Sequence, residues 1–179
     1  MTSIQLSFCK GENNEEFSSI QTMLFRVIVD TVLDVLNSGE FKETVEDFYY
    51  TDEFGNKKVG FSHSDGYSTQ EIYFLIMQGS LKATPDNVNL DFLIQPCEQL
   101  VEEHASLLDG RYFLKVGLDC LDDYVALENR HEAIAKTSAF FIKEYLHLLG
   151  FKSVDTHSVP EAISAMVETQ ILENYSIAS

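Results

Sequence analysis

The chain is predicted to fold as an α+β protein, with a small, mostly antiparallel sheet containing one β-hairpin packed against four to five helices. Three observations carry that expectation. Phe17 to Leu36 is apolar almost all the way round a helical wheel; 127–150 and 158–175 repeat apolar residues every three or four positions; and the chain between them breaks into short period-two or aromatic runs punctuated by Gly, Asn and Pro. At 179 residues and 45% hydrophobic content the chain is read as one domain, 1–179, large enough to bury its own core. Residues 1–95 hold the central helix and most strands, and 96–179 are mainly helical.

Taken in order, Ile4 to Phe8 alternates like a strand with one wet face. Asn14 is read as the N-cap of the central helix, with Glu15 and Glu16 in its first turn. On the wheel Ile20, Leu24, Val27, Ile28, Thr31 and Val35 make one face, and Phe25, Val29, Val32, Leu33 and Leu36 another. Arg26, Asp30 and Asp34 form the thin polar line. So little polar arc implies cover on at least two sides, by the domain itself or by a second copy. Gly39 is read as the left-handed residue that ends the helix.

Phe41, Val45 and Phe48 have mixed spacing that leads into a strand, and Tyr49 to Ser62 reads as a hairpin turning near Gly55 and Asn56. Ser68 and Glu71 have capping-box spacing, favouring a helix up to Gly79, although EIYFLIM also suits a buried strand. Pro85 and Asp86 bend the chain into a strand at 89–94. Pro96 then suits the first turn of a helix over 97–108, closed by Asp109 and Gly110. Arg111 to Leu118 is a strand, followed by Asp119, Asp122 or Asp123 as caps for the long helix that ends at Gly150. Phe140 falls on that helix's polar side, among Glu132, Lys136, Lys143, Glu144 and His147. Ser158 and Glu161 make another box, with Pro160 in the first turn of a helix whose last residues, 176–179, are expected to fray.

Charge is the unusual total. Twelve basic and 29 acidic residues give −17, spread as 14 against 6 in residues 1–90 and 15 against 6 in 91–179. That field repels nucleic acid and anionic membrane and attracts basic proteins. Phe17 to Leu36 is long enough to span a bilayer, but Arg26, Asp30 and Asp34 would each cost roughly 3 kcal/mol at its centre. The start, MTSIQLSFCKGE, has no basic n-region, so a cytoplasmic protein is expected. Cys9, Cys97 and Cys120 are far apart and form no CxxC pair, so reduced thiols and no metal or cofactor are expected.

For catalysis the best constellation is His63 with Asp65, a base and its orienter, joined by His157 in a second segment. Ser62–His63–Ser64–Asp65 and His157–Ser158–Val159 loosely resemble the paired His-x-Thr/Ser elements of two-histidine phosphoesterases. Asp65 and Val159 stand where those enzymes carry the hydroxyl that holds a phosphate. Position 135 is Ala, so no H-E-x-x-H zinc motif follows His131, and there is no phosphate-cradling G-x-x-x-x-G-K. The leading expectation is therefore a non-catalytic acidic binding protein that docks on and inhibits a basic partner, such as a nuclease toxin or a DNA-binding defence enzyme. Immunity proteins and DNA mimics work this way. The residues expected to meet that partner are Glu43, Glu46, Asp47, Asp52, Glu53, Glu98, Glu102, Glu103, Asp122, Asp123 and Phe140. The alternatives are an acidic chaperone or assembly factor that forms a homodimer through the 17–36 helix, and a hydrolase using His63 and Asp65.

Overall fold

The computed structural model describes residues 2–79, 88–97, 105–108, 111–118 and 130–178. The chain runs β1 (Thr2–Phe8), α1 (Ser19–Leu36), α2 (Gly39–Glu46), β2 (Tyr49–Thr51), β3 (Lys57–Val59) and α3 (Thr69–Gln78). It continues β4 (Val88–Cys97), β5 (Ala105–Leu108), β6 (Arg111–Gly117), α4 (Arg130–Leu148) and α5 (Val159–Ala178).

The main sheet has the order β1-β4-β6-β5. Its β1/β4 and β4/β6 pairs are parallel and only β5/β6 is antiparallel, which corrects the expectation of a mostly antiparallel sheet. The reason is connectivity. Three helices lie between β1 and β4, and so long a crossover lets the chain return in the same direction. The hairpin of β2 and β3 forms as expected and makes a sheet of its own.

Strand β4 carries the centre of the core. Leu90, Phe92 and Ile94 alternate on one face and are buried, while Asp91, Leu93 and Gln95 on the other are half-buried. Pro96 belongs to this strand instead of opening a helix, and Cys97 and Ala105–Leu108 are strand in place of the helix expected over 97–108; residues 98–104 lie outside the described residues. A proline is tolerated here because Cys9 N–H already donates to Ile94 O, 3.0 Å, just past the end of β1, leaving no further β1 residue to need a donor at Pro96.

Helix α1 starts four residues later than expected. Ser18 is its cap, accepting from Gln21 N–H (3.2 Å), while the Gln21 side chain accepts from Ser18 N–H (2.8 Å). Asn14 instead takes a positive φ of 64° in the preceding turn. Phe25, Ile28, Val29, Val32, Val35 and Leu36 are buried, but Ile20, Met23 and Val27 are not. Asn37 caps the far end and ties it to β1, accepting from Thr2 N–H (3.0 Å) and donating to Thr2 O (3.1 Å).

Gly39 opens α2 instead of closing α1 in a left-handed conformation, with Ser38 accepting from Phe41 N–H (3.1 Å). Phe41 and Val45, four apart, are both fully buried, so the mixed spacing concealed a short helix. Helix α3 has the expected Ser68–Glu71 box and ends at Gly79 with φ +68°. A Cβ at Gly79 would overlap the Tyr112 hydroxyl, so glycine is required there both for backbone and for space.

Helices α4 and α5 pack extensively on each other, and Ala135, Ile142 and Leu146 of one and Ala162, Ile163 and Val167 of the other are buried. The Ser158–Glu161 pair is used differently from a capping box: Ser158 Oγ donates to Asp155 O (2.6 Å), and Glu161 pairs with Lys143 of α4 (2.6 Å). The expected fray at 176–178 is helix. Tyr145, fully buried, donates to Ile76 O at the end of α3 (2.8 Å) and sits edge-on to Phe92 and Tyr112.

Burial, then the neighbouring Tyr112, pushes the Tyr145 phenol well above the ordinary tyrosine value. Its folded pKa is raised, so the stabilisation is complete below the unfolded value near 10.0 and declines as pH rises from there towards the folded pKa. Alkaline denaturation profiles should therefore fall above about pH 10, and Tyr145→Phe should flatten that fall while lowering neutral stability by about 1–3 kcal/mol. An unchanged alkaline slope in the variant would remove Tyr145 from this role.

Candidate functional site

Two surfaces meet near the end of α2. The first is acidic. Glu40, Glu43 and Asp47 are spaced three and four apart and so share one face of the helix and its cap. Glu43 and Asp47 are exposed; Glu46 is half-buried, its carbonyl accepting from Thr69 Oγ1 (2.7 Å). The last turn of α2 has no basic residue, so Glu43, Glu46 and Asp47 lie at the negative end of the helix dipole. Carboxylates there add to the helix field instead of cancelling it.

The hairpin follows α2 directly in the chain, and its acids differ in role. Asp52 holds the turn: Oδ1 accepts from Phe54 N–H (3.0 Å) and Asn56 N–H (2.8 Å), and Oδ2 from Asn56 Nδ2 (3.2 Å), with Lys58 at 3.6 Å. The Asn56 backbone bond is the main cause of its lowered pKa. Glu53, next to the 81% exposed Phe54 at the tip, is exposed. Lys57 lies over the Tyr49 ring, 4.1 Å from its centre.

Cations do not balance this face. Six lysines and arginines among the described residues are paired to carboxylates elsewhere or within the turn: Lys10–Glu16, Lys58–Asp52, Arg111–Asp91, Lys115–Glu12, Lys136–Glu132 and Lys143–Glu161. Residues 40–53 carry six carboxylates against Lys42 alone, and Lys42 lies towards the Tyr73 ring. Among the described residues no lysine or arginine forms an ion pair with Glu40, Glu43 or Asp47.

A cleft of about 410 Å³ separates α2 from α5. Its lining includes the exposed Glu40 and Glu173, the half-buried Phe48 and Met166, and His157. Gln170 ties the two helices, its Nε2 donating to Ser38 Oγ (3.0 Å) and towards Glu40 Oε2 (3.4 Å).

The second surface is the pair of histidine segments, which the fold does bring together. Ser62 N–H donates to His157 O (3.0 Å), and Ser62 and Ser158 form a parallel bridge. Asp155 is the hub. Its Oδ1 accepts from Ser62 Oγ (2.6 Å) and His157 N–H (2.8 Å), and its Oδ2 lies 3.5 Å from His63 Nε2. The acid that His63 meets is thus Asp155 and not Asp65, which lies in the exposed turn at φ +52°. The His157 ring stacks on Tyr50, 4.4 Å between centres. The order Ser–Asp–His differs from a nucleophilic triad, where the imidazole stands between hydroxyl and carboxylate to take the proton. Here the carboxylate binds both, which suits a clamp between loops 62–66 and 155–159.

Of the other residues expected to meet a partner, Glu98, Glu102, Glu103, Asp122 and Asp123 lie outside the described residues. Phe140 is half-buried on α4. Glu40, Glu173 and Asp155 were not singled out from the sequence. Glu40 lies between the helix stop read at Gly39 and the segment read from Phe41; Glu173 and Asp155 gain their roles only from tertiary contacts. Among the described residues no helix is long and apolar enough to cross a membrane, and no cluster of three His, Cys, Asp or Glu could hold a metal.

The Ser62 hydroxyl is the largest cause of the lowered Asp155 pKa. A carboxylate lowered in the fold stabilises above its unfolded pKa, and that contribution disappears as pH falls through the folded value. Ser62→Ala should move the Asp155 titration, followed by carboxyl NMR, upward towards 3.8. Asp155→Ala should cost about 1–3 kcal/mol in urea unfolding because it strands the buried Ser62 hydroxyl; a neutral result would dismantle the clamp.

No family model, curated protein or solved structure matches this chain.

Proposed function

We propose that the protein is a non-catalytic acidic binding protein that docks on and inhibits a basic partner, of the kind exemplified by a nuclease toxin or a DNA-binding defence enzyme. The observation that carries this reading is the end of α2. Glu43, Glu46 and Asp47 crowd the negative pole of a helix with no basic residue in its last turn. Each such carboxylate costs helix stability, roughly 0.3–1 kcal/mol. A local cost of this kind is expected where the field serves a partner. A cationic groove that normally holds nucleic acid would receive this face with Glu53 beside it, and the docked protein would exclude the negatively charged substrate.

The test couples two readouts. Association with a panel of basic nucleases, and their cleavage of DNA, would be followed across ionic strength for the wild type and for a Glu43→Lys, Asp47→Lys, Glu53→Lys variant. At least one nuclease should be bound and inhibited, with an association rate that drops about tenfold or more in the variant. The variant should also melt at a higher temperature, because lysines suit the end of α2. Binding that ignores both salt and the reversed charges, or a panel with no bound member, would defeat the reading.

A second reading, an acidic homodimeric assembly factor, rests on α1. Ile20, Met23 and Val27 form an exposed stripe at 68%, 66% and 38%. A second copy would cover it. Sedimentation should then show a salt-insensitive dimer that Met23→Glu converts to monomer; a monomer at every concentration would retire this alternative.

A further inference from the structure

We infer that the cleft between α2 and α5 seats an apolar side chain of a basic amphipathic helix belonging to the partner, with that helix's lysines or arginines on its carboxylates, Glu40 and Glu173. The inference rests on the acidic-docking reading and adds where and how the partner is gripped.

The chemistry of the cleft selects its occupant. At about 410 Å³ it falls within the roughly 300–1,000 Å³ typical of binding pockets. Its lining offers Phe48 and Met166, both half-buried, to an apolar group. Ala165 and Thr169, four apart on the exposed side of α5, are small and let another backbone approach closely. An apolar ligand alone would desolvate Glu40 and Glu173 without pairing them, and an anion would be repelled. A small polycation would satisfy the carboxylates and leave the apolar lining unused. A helix with an apolar stripe flanked by cations uses both, and a trough between two helices has the shape to take one. Charge complementarity therefore names the partner's chemistry. Glu40 is already oriented by Gln170, which reduces the ordering needed on binding.

The experiment uses the full chain with labelled methyl groups. The probe is a synthetic Lys/Leu peptide of about 14 residues, long enough to form a helix on contact. A scrambled peptide of the same composition and spermidine serve as controls. The Lys/Leu helix should shift the methyls of Ala165, Met166 and Thr169, and bind about tenfold or more tightly than either control. Ala165→Trp, which fills the cleft from an exposed position, and Glu173→Lys, which reverses one charge, should each weaken binding several-fold. Their thermal melts identify any variant that fails to fold. Shifts scattered over α2 and the hairpin, with both variants binding normally, would overturn the cleft inference and leave acidic docking intact. Spermidine binding as tightly as the helix would also overturn it. No binding of any cationic probe at low salt would overturn both.

Discussion

The phenol of Tyr145 is the constraint on which the placement of the acidic face depends. It lies in the interior of α4, fully buried, and its hydroxyl donates to the carbonyl of Ile76 at the C-terminal end of α3. Around it Phe92 and Tyr112 of the sheet pack edge-on, so one side chain joins sheet, α4 and α3. Helix α3 in turn positions α2: Thr69 donates to the Glu46 carbonyl, and Tyr73 packs near Phe41. From the other side Gln170 of α5 holds Ser38 at the start of α2. A short helix of eight residues, marginal by itself, is thereby fixed in the direction that presents its carboxylates.

Charge follows from that geometry. Elsewhere in the described chain Lys10, Arg111, Lys115, Lys136 and Lys143 each pair with a nearby carboxylate, while residues 40–53 carry six carboxylates against Lys42 alone. The excess is not uniform in role. Asp52 is committed to its turn and Asp155 to the loop clamp, whereas Glu43, Asp47 and Glu53 face solvent. The histidine segments show a structural use of a carboxylate as well. They converge, and the carboxylate stands between serine and imidazole and holds both in place.

Much of the architecture was legible because its signals are local. The alternation at 4–8, the Gly55–Asn56 turn, the Ser68–Glu71 box with Gly79, and the two-faced pattern of α4 each specify one element from a few neighbouring residues. What failed was non-local or disguised. The direction of β1 against β4 depends on the 79 intervening residues of crossover and leaves no trace in either strand's alternation. Phe41 and Val45 are a helical pair, but two positions are too few to outweigh the aromatic run that follows. Ser18 and Gln21 made a capping box that Asn14, also a plausible cap, obscured. In the site, Glu43, Asp47 and Glu53 could be read as a patch because they lie close in sequence. Glu173 on the cleft and the Ser62–Asp155 bond, 93 residues apart, required the fold.

Under the acidic-docking reading the negative field is concentrated on α2 and the adjoining edge of α5. Paramagnetic relaxation of backbone amides by a cationic nitroxide, compared with its neutral analogue, measures that field residue by residue. The largest excess of cationic over neutral relaxation is expected at residues 40–47 and 165–173, with a smaller excess at 130–143, where lysines answer the carboxylates. An excess spread evenly over the surface, or greatest away from α2, would contradict it.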